Sequence, residues 1–232
     1  DFLRFITRNP TSIVATPYIL KVREKENLIP PSFYIKLSQH QNNKWLSFLS
    51  TVEDDDEYII HFSATVKADG YQKMAIYYTK TKDFENFTMP KLFFEKACGV
   101  FDSHLVKIGG TYHLFYKTSA EPLMNMHATS NSLFGKWQHD YDFQKYMQTL
   151  YRPGSHEAAT TYILPDGKWC LMLDFFGCEK EKMGYVPFIS EKAGDAHFHQ
   201  VNQLFSFPYG FKHGGVIEIS DEEYERLSVS AF

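Results

Sequence analysis

Three observations predict an all-β fold of the β-propeller class, with five blades and a carboxylate-lined centre. Asp102, Glu157 and His213 recur at spacings of 55 and 56 residues, each at the start of a β-prone run. Turn residues separate that run from the next strand-like run in successive units. A period above about 40 residues with several short strands per unit is the mark of propeller blades.

The units follow one another along the chain. The first 44 residues resist placement in the repeat. A unit then begins near Trp45 and runs through LSFLSTV, an acidic turn from Glu53 to Asp56, the strand EYIIHFSAT and the segment MAIYYTKTKDFENF. Its position equivalent to Asp102 is Phe48, 54 residues upstream. The next unit leads from Asp102 through HLVKI, a Gly109-Gly110 turn, the strand TYHLFYKTS, the strand MNMHATS and a closing LFGKW. Glu157 opens a third in the same order: TTYIL, the turn Pro165-Asp166-Gly167, the strand KWCLMLDFF and the strand GYVPFIS. Turn chemistry between alternating aromatic and β-branched runs predicts hairpins at these points. The repeats begin near residues 45, 100, 155 and 211 within a single domain spanning 1–232, whose first blade is expected to be incomplete.

Composition agrees, since 44% hydrophobic and 17% aromatic content over 232 residues can bury one large core. No Pro/Gly/Ser-rich linker divides it. A net charge of −4 with dispersed Lys and Arg argues against nucleic acid as a partner. No apolar run approaches the roughly 20 residues that cross a bilayer, and DFLRFITRNP lacks a signal-peptide hydrophobic stretch, so the expectation is a soluble chain without membrane contact, its compartment left open. Cys98, Cys170 and Cys178 are odd in number and lack C-x-x-C spacing, which indicates free thiols and neither a disulfide framework nor a zinc site. Asn86-Phe87-Thr88 satisfies the glycosylation sequon, a pattern common by chance. There is no G-x-S-x-G elbow, H-E-x-x-H helix or G-x-x-x-x-G-K loop.

VFDSHLV, SHEAATTY, the strand ending IYYTKTKDFENF and the closing segment SFPYGFKHGGVIEISDEEYERL resemble glycoside hydrolase family 43 and its furanosidase relatives. The likeness covers roughly residues 45–227. It implies a five-bladed propeller with active-site residues at the inner ends of successive blades. It also implies Glu157 as general acid, Asp102 as the carboxylate that orients that acid and keeps its pKa raised by like-charge proximity, and His213 as a supporting central histidine. Such roles suit inverting glycoside hydrolysis, in which an acid protonates the leaving oxygen while a carboxylate about 6.5–9.5 Å away activates water. A pentose-containing oligosaccharide or polysaccharide, arabinofuranoside or xyloside, is the implied substrate. Calcium at the axis is possible by family analogy, but no Asp-rich ligand loop is present, so no obligatory cofactor or metal is expected.

Sugar rings stack on aromatic faces. Trp45, Phe48 and Phe101 are the candidate substrate contacts, with Tyr151, Phe175 and Phe211 further aromatics near strand starts or rim loops. Read as isolated residues, Asp102 could cap a turn, Glu157 could be a solvated strand end and His213 a core histidine. The chain departs from the family pattern at Trp45-Leu46-Ser47-Phe48, where relatives often carry Trp-Ala-Pro-Glu or Gln, and at Glu157-Ala-Ala, where they have Glu-Gly-Pro. The general base is expected one repeat before Phe48. The nearest match, Asn9 in Arg8-Asn9-Pro10, lies only 39 residues upstream and offers an amide that accepts no proton at neutral pH. Three explanations stay open: an N-terminal segment preceding Asp1, a carboxylate recruited from elsewhere such as Glu53–Asp56, or a catalytically degenerate propeller that binds carbohydrate or serves as a structural support.

Overall fold

The structure, a computed structural model, describes residues 46–54, 56–66, 70–83, 86–120, 123–150, 155–176, 184–201 and 216. They form three four-stranded antiparallel meanders in sequence order. The first comprises β1 (Leu46–Asp54), β2 (Glu57–Ala64), β3 (Ala75–Thr81) and β4 (Lys91–Phe94). The second is built from β5 (Val100–Ile108), β6 (Thr111–Thr118), β7 (Asn125–Ser130) and β8 (Gln138–His139). β9 (Ser155–Ile163), β10 (Trp169–Phe176), β11 (Gly184–Ser190) and β12 (His199–Gln200) form the third. Each meander is a propeller blade, and β5 lies against both β1 and β9, so the leading strands stand together.

The hairpins follow turn chemistry. Gly109 and Gly110 take φ of 56° and 86° between Ile108 and its partner Thr111, conformations that a two-residue turn with the right twist needs and glycine adopts without a Cβ clash. Of the acidic stretch, Glu53 and Asp54 likewise end β1 and Asp56 precedes β2, the hairpin being closed by the Asp54–Glu57 pair.

Two apolar layers fill the spaces between blades. Ile59, Ile76, Val100, Leu105, Leu114 and Tyr116 pack between the first and second blades. Phe115, Trp169, Leu171, Leu173, Phe188 and Phe198 pack between the second and third. Alternate residues of β6 serve the two layers, Leu114 and Tyr116 on one side and Phe115 on the other, as the period of two in a strand requires. Phe175, a candidate rim aromatic in the sequence, is buried in the second layer and is a core residue, because its strand presents that face to the neighbouring blade.

Helix α1 (Tyr141–Thr149), an element outside the blade pattern expected of the sequence, is inserted between β8 and β9. Asp140 caps it, accepting the Phe143 N–H at 2.9 Å, and Phe143 and Met147, four residues apart, bury one face in the second layer. The other Asp140 oxygen accepts from His127 Nδ1 at 2.8 Å, and His127 Nε2 lies 3.1 Å from His113 Nδ1. Burial opposes ionisation of Asp140, but the bonds from His127 and the Phe143 N–H overcome it and hold the carboxyl below the usual range. Among the described residues no helix is long and apolar enough to cross a membrane. Cys170 is buried, which pushes its thiol up to about 11 and leaves it unreactive, and Cys98 is a second free thiol.

Candidate functional site

Each leading strand carries a bulge near its start. In β1 the pairing shifts between Ser47 and Leu49, leaving Phe48 as the extra residue. In β5 it shifts between Phe101 and His104, and in β9 opposite Met172 and Asp174. Asp102 and Ala158 sit in these bulges with φ of 48° and 52°, the left-handed region that side chains other than glycine's enter at a cost. The backbone counterpart of Asp102 in the third blade is therefore Ala158. Glu157 stands one residue earlier, in the position of Phe101 and Ser47, so the 55-residue spacing relates neighbouring rather than equivalent positions.

The residue opposite this pre-bulge position, on the second strand of each blade, is Ser63, Lys117 and Asp174 in turn. Two of them cross to the next blade. Ser63 Oγ accepts the backbone N–H of Asp102 at 3.2 Å, and Lys117 Nζ donates to Glu157 Oε2 at 2.8 Å. The Lys117 side chain is 4% exposed and that of Glu157 18%, so the ammonium is buried while the carboxylate keeps an opening to solvent. The Lys117 ammonium also lies 4.1 Å from the Phe176 ring centroid and 5.4 Å from that of Phe101. Such cation–π contacts replace part of its hydration. An ammonium this close favours the ionised form of the carboxylate. Asp174, wholly buried, is the direct cross-strand neighbour of Glu157.

Neutral hydrogen bonds involving buried histidines also join the blades. His61 Nδ1 lies 2.9 Å from Ser103 Oγ, and burial, helped by nearby His104, lowers the His61 pKa to about 3. His104 Nε2 accepts the Thr161 N–H at 3.2 Å and lies 2.9 Å from Thr161 Oγ1, which requires a neutral ring protonated on Nδ1; burial takes its pKa to about 4. His156 Nδ1 accepts the Asn125 N–H at 3.1 Å. The Asn125 side chain is fully buried, and neither its oxygen nor its nitrogen has a hydrogen-bond partner. Asn125 is the cross-strand neighbour of Lys117 on β7.

Of the residues singled out by sequence, the structure brings Phe101 and Glu157 to a single ammonium and places Asp102, buried, next to Phe101. Phe48 falls at the β1 bulge. Trp45, His213, Asn9, Tyr151, Phe211 and Cys178 lie outside the described residues. Lys117, Asn125 and Asp174 were missed. Asp174 had a readable signal as the lone charge inside the apolar run WCLMLDFF, whereas Lys117 at a strand end had none. No group of three or more His, Cys, Asp or Glu among the described residues could hold a metal ion.

Consecutive four-stranded blades with bulged leading strands and a carboxylate at one strand start define a β-propeller. The chain belongs to the family described as "Probable glycosyl hydrolase domain", related to glycoside hydrolase family 43, which it matches over residues 32–225. Its fold class is the five-bladed propeller of that group, three of whose blades the described residues supply. Among solved structures, an endo-arabinase from Bacteroides thetaiotaomicron superposes with a TM-score of 0.50 at 14% identity, over 66% of this chain and 60% of that one. A thermostable family-43 glycoside hydrolase gives 0.48 at 12% identity, over 67% and 54%. A beta-1,2-mannobiose phosphorylase from Listeria innocua gives 0.48 at 20% identity, over 68% and 44%. The chain thus spans 60% or less of the length of each of the three. No curated protein matches it in sequence.

Proposed function

We propose that this chain forms the sugar-binding propeller of a glycoside hydrolase that cleaves pentose-containing glycans or oligosaccharides with inversion, Glu157 delivering a proton to the leaving oxygen. The supporting observation is Glu157 itself, a partly open carboxylate at the start of a leading strand, fixed by an ammonium from the preceding blade. Family membership and the fold shared with an endo-arabinase favour a furanoside or xyloside substrate. Asp102 acts beside it by like charge, favouring the protonated acid. Trp45, Phe48 and Phe101 supply sugar-facing aromatic surface, and His213 supports the centre. The test is release of sugar from aryl arabinofuranosides, aryl xylosides and arabinan oligomers. Glu157→Gln and Asp102→Asn are expected to lower turnover, and undiminished hydrolysis by Glu157→Gln removes the assignment.

One observation favours a second reading, a carbohydrate-binding propeller without turnover. One Glu157 oxygen already accepts from the buried Lys117 ammonium, an arrangement that suits a carboxylate accepting sugar hydroxyls. Glycan calorimetry separates the two: affinity with no turnover in the folded full chain selects the binder.

A further inference from the structure

A general acid must carry a proton, yet a buried ammonium sits on Glu157. The residue across from that ammonium resolves the conflict. Lys117 and Asn125 are direct cross-strand neighbours, a placement that brings Cβ atoms to about 4.5–5.5 Å with both side chains on one face of the sheet. Asn125 is fully buried and its amide makes no hydrogen bond. A buried amide left unbonded is rare because it forfeits its hydration without replacement. Its oxygen suits an ammonium, which has three donors and no acceptor. Lys117 therefore has an occupied acceptor in Glu157 and a vacant one beside it.

We infer that Lys117 and Asn125 are a positioning pair for Glu157: Lys117 holds the carboxylate ionised in the empty site, and the Asn125 amide oxygen receives the ammonium when Glu157 takes up a proton or bonds a sugar hydroxyl. The inference rests on reading Glu157 as the sugar-facing acid. It accounts for the flexible four-carbon stem at this position and for the aromatic walls Phe101 and Phe176, which keep water from becoming the alternative acceptor. The proton balance is simple. Solvent protonates Glu157 through its open side, the ammonium keeps all its protons and changes partner, and the net charge of the cluster rises by one. Titratable groups on the surrounding described elements are Lys117 on β6, Asp174 on β10, Asp102 and His104 on β5, His156 beside Glu157, and Tyr185 on β11, whose hydroxyl lies 3.4 Å from the Ala158 carbonyl oxygen.

The test is a carbon-13 titration of the full chain labelled at glutamate side-chain carboxyls, with Glu157→Gln assigning the resonance. In Lys117→Met the midpoint of Glu157 is expected to rise by more than one pH unit. In Asn125→Leu it is expected to fall, because the protonated state loses its acceptor for Lys117, and Lys117→Arg should restore most of the wild-type value. A side chain that merely packs moves neither midpoint, so two unmoved midpoints, or two that move in the same direction, overturn the inference. Should Lys117→Met not fold, the Asn125→Leu shift decides alone. The readout needs no turnover. Opposed shifts in a protein that hydrolyses nothing leave the pair standing and remove the hydrolase reading, whereas turnover that depends on Glu157 with static midpoints does the reverse.

Discussion

Where the first and second blades meet, the residue opposite the bulge is Ser63, a neutral hydroxyl that accepts a backbone N–H, with the His61–Ser103 bond beside it. Where the second and third blades meet, the same position holds Lys117, an ammonium on a carboxylate. Both junctions use the same register, the same bulge and an apolar layer beneath. The backbone plan is therefore indifferent to the chemistry it carries. The first junction is a neutral seam, and the second adds a charged crossing to its neutral His104–Thr161 and Asn125–His156 bonds, where Glu157 opens to solvent. Fold stability alone asks for no such charge, since a buried ion pair rarely outperforms apolar packing.

The largest effect that sharpens the contrast comes from removing one charge. Glu157→Ala leaves Lys117 buried without its counterion and is expected to destabilise by about 3 kcal/mol, at the low end for broken buried pairs because Asn125 can take the ammonium. Urea unfolding of this variant, of Lys117→Met and of the double variant measures the coupling, and additive losses break the comparison. Acid attacks the neutral seam next. His61 is neutral when folded, its pKa depressed to about 3 against 6.5 unfolded, so the unfolded chain binds the extra proton as pH drops below 6.5. Stability from this group is complete above that value and is lost as pH falls toward 3, amounting to about 2 kcal/mol by pH 5. Unfolding midpoints at pH 7 and pH 5 should show that loss in the wild type and a flatter slope in His61→Gln; parallel slopes contradict it.

Smaller changes test the two crossings themselves. Ser63→Ala removes one neutral hydrogen bond and should cost about 1 kcal/mol, a third of the Glu157→Ala effect. A loss as large as that of Glu157→Ala erases the distinction between the seams. Ala158→Gly should stabilise slightly, by less than about 1 kcal/mol, because glycine relieves the left-handed backbone at the third bulge while adding unfolded-state entropy. Thermal unfolding should rise by about 2 °C.

The leading strands and hairpins were legible because their signals are local. Gly109-Gly110 and Pro165-Asp166-Gly167 mark turns by backbone chemistry, and TYHLFYKT alternates between two buried faces. Helix α1 was not read, although Asp140 before Phe143 and Met147 is a cap followed by an apolar pair, because nine residues carry too little periodicity to stand out from strand-like aromatics. The one-residue offset between Glu157 and Asp102 depends on bulges that spacing cannot show. Lys117 and Asn125 depend on contacts between blades and between strands. Sequence patterns report on a residue's own strand, not on what stands across from it.

The crossings share a direction, although Ser63 reaches the bulge residue and Lys117 the residue before it. Ser63 precedes Asp102 by 39 residues and Lys117 precedes Glu157 by 40. During synthesis at roughly 5–20 residues per second, Lys117 leaves the ribosome about 2–8 s before Glu157, with its own hairpin already complete. In each of these two crossings the arriving strand is met by a partner made earlier, so Glu157 emerges after the cation that will hold it.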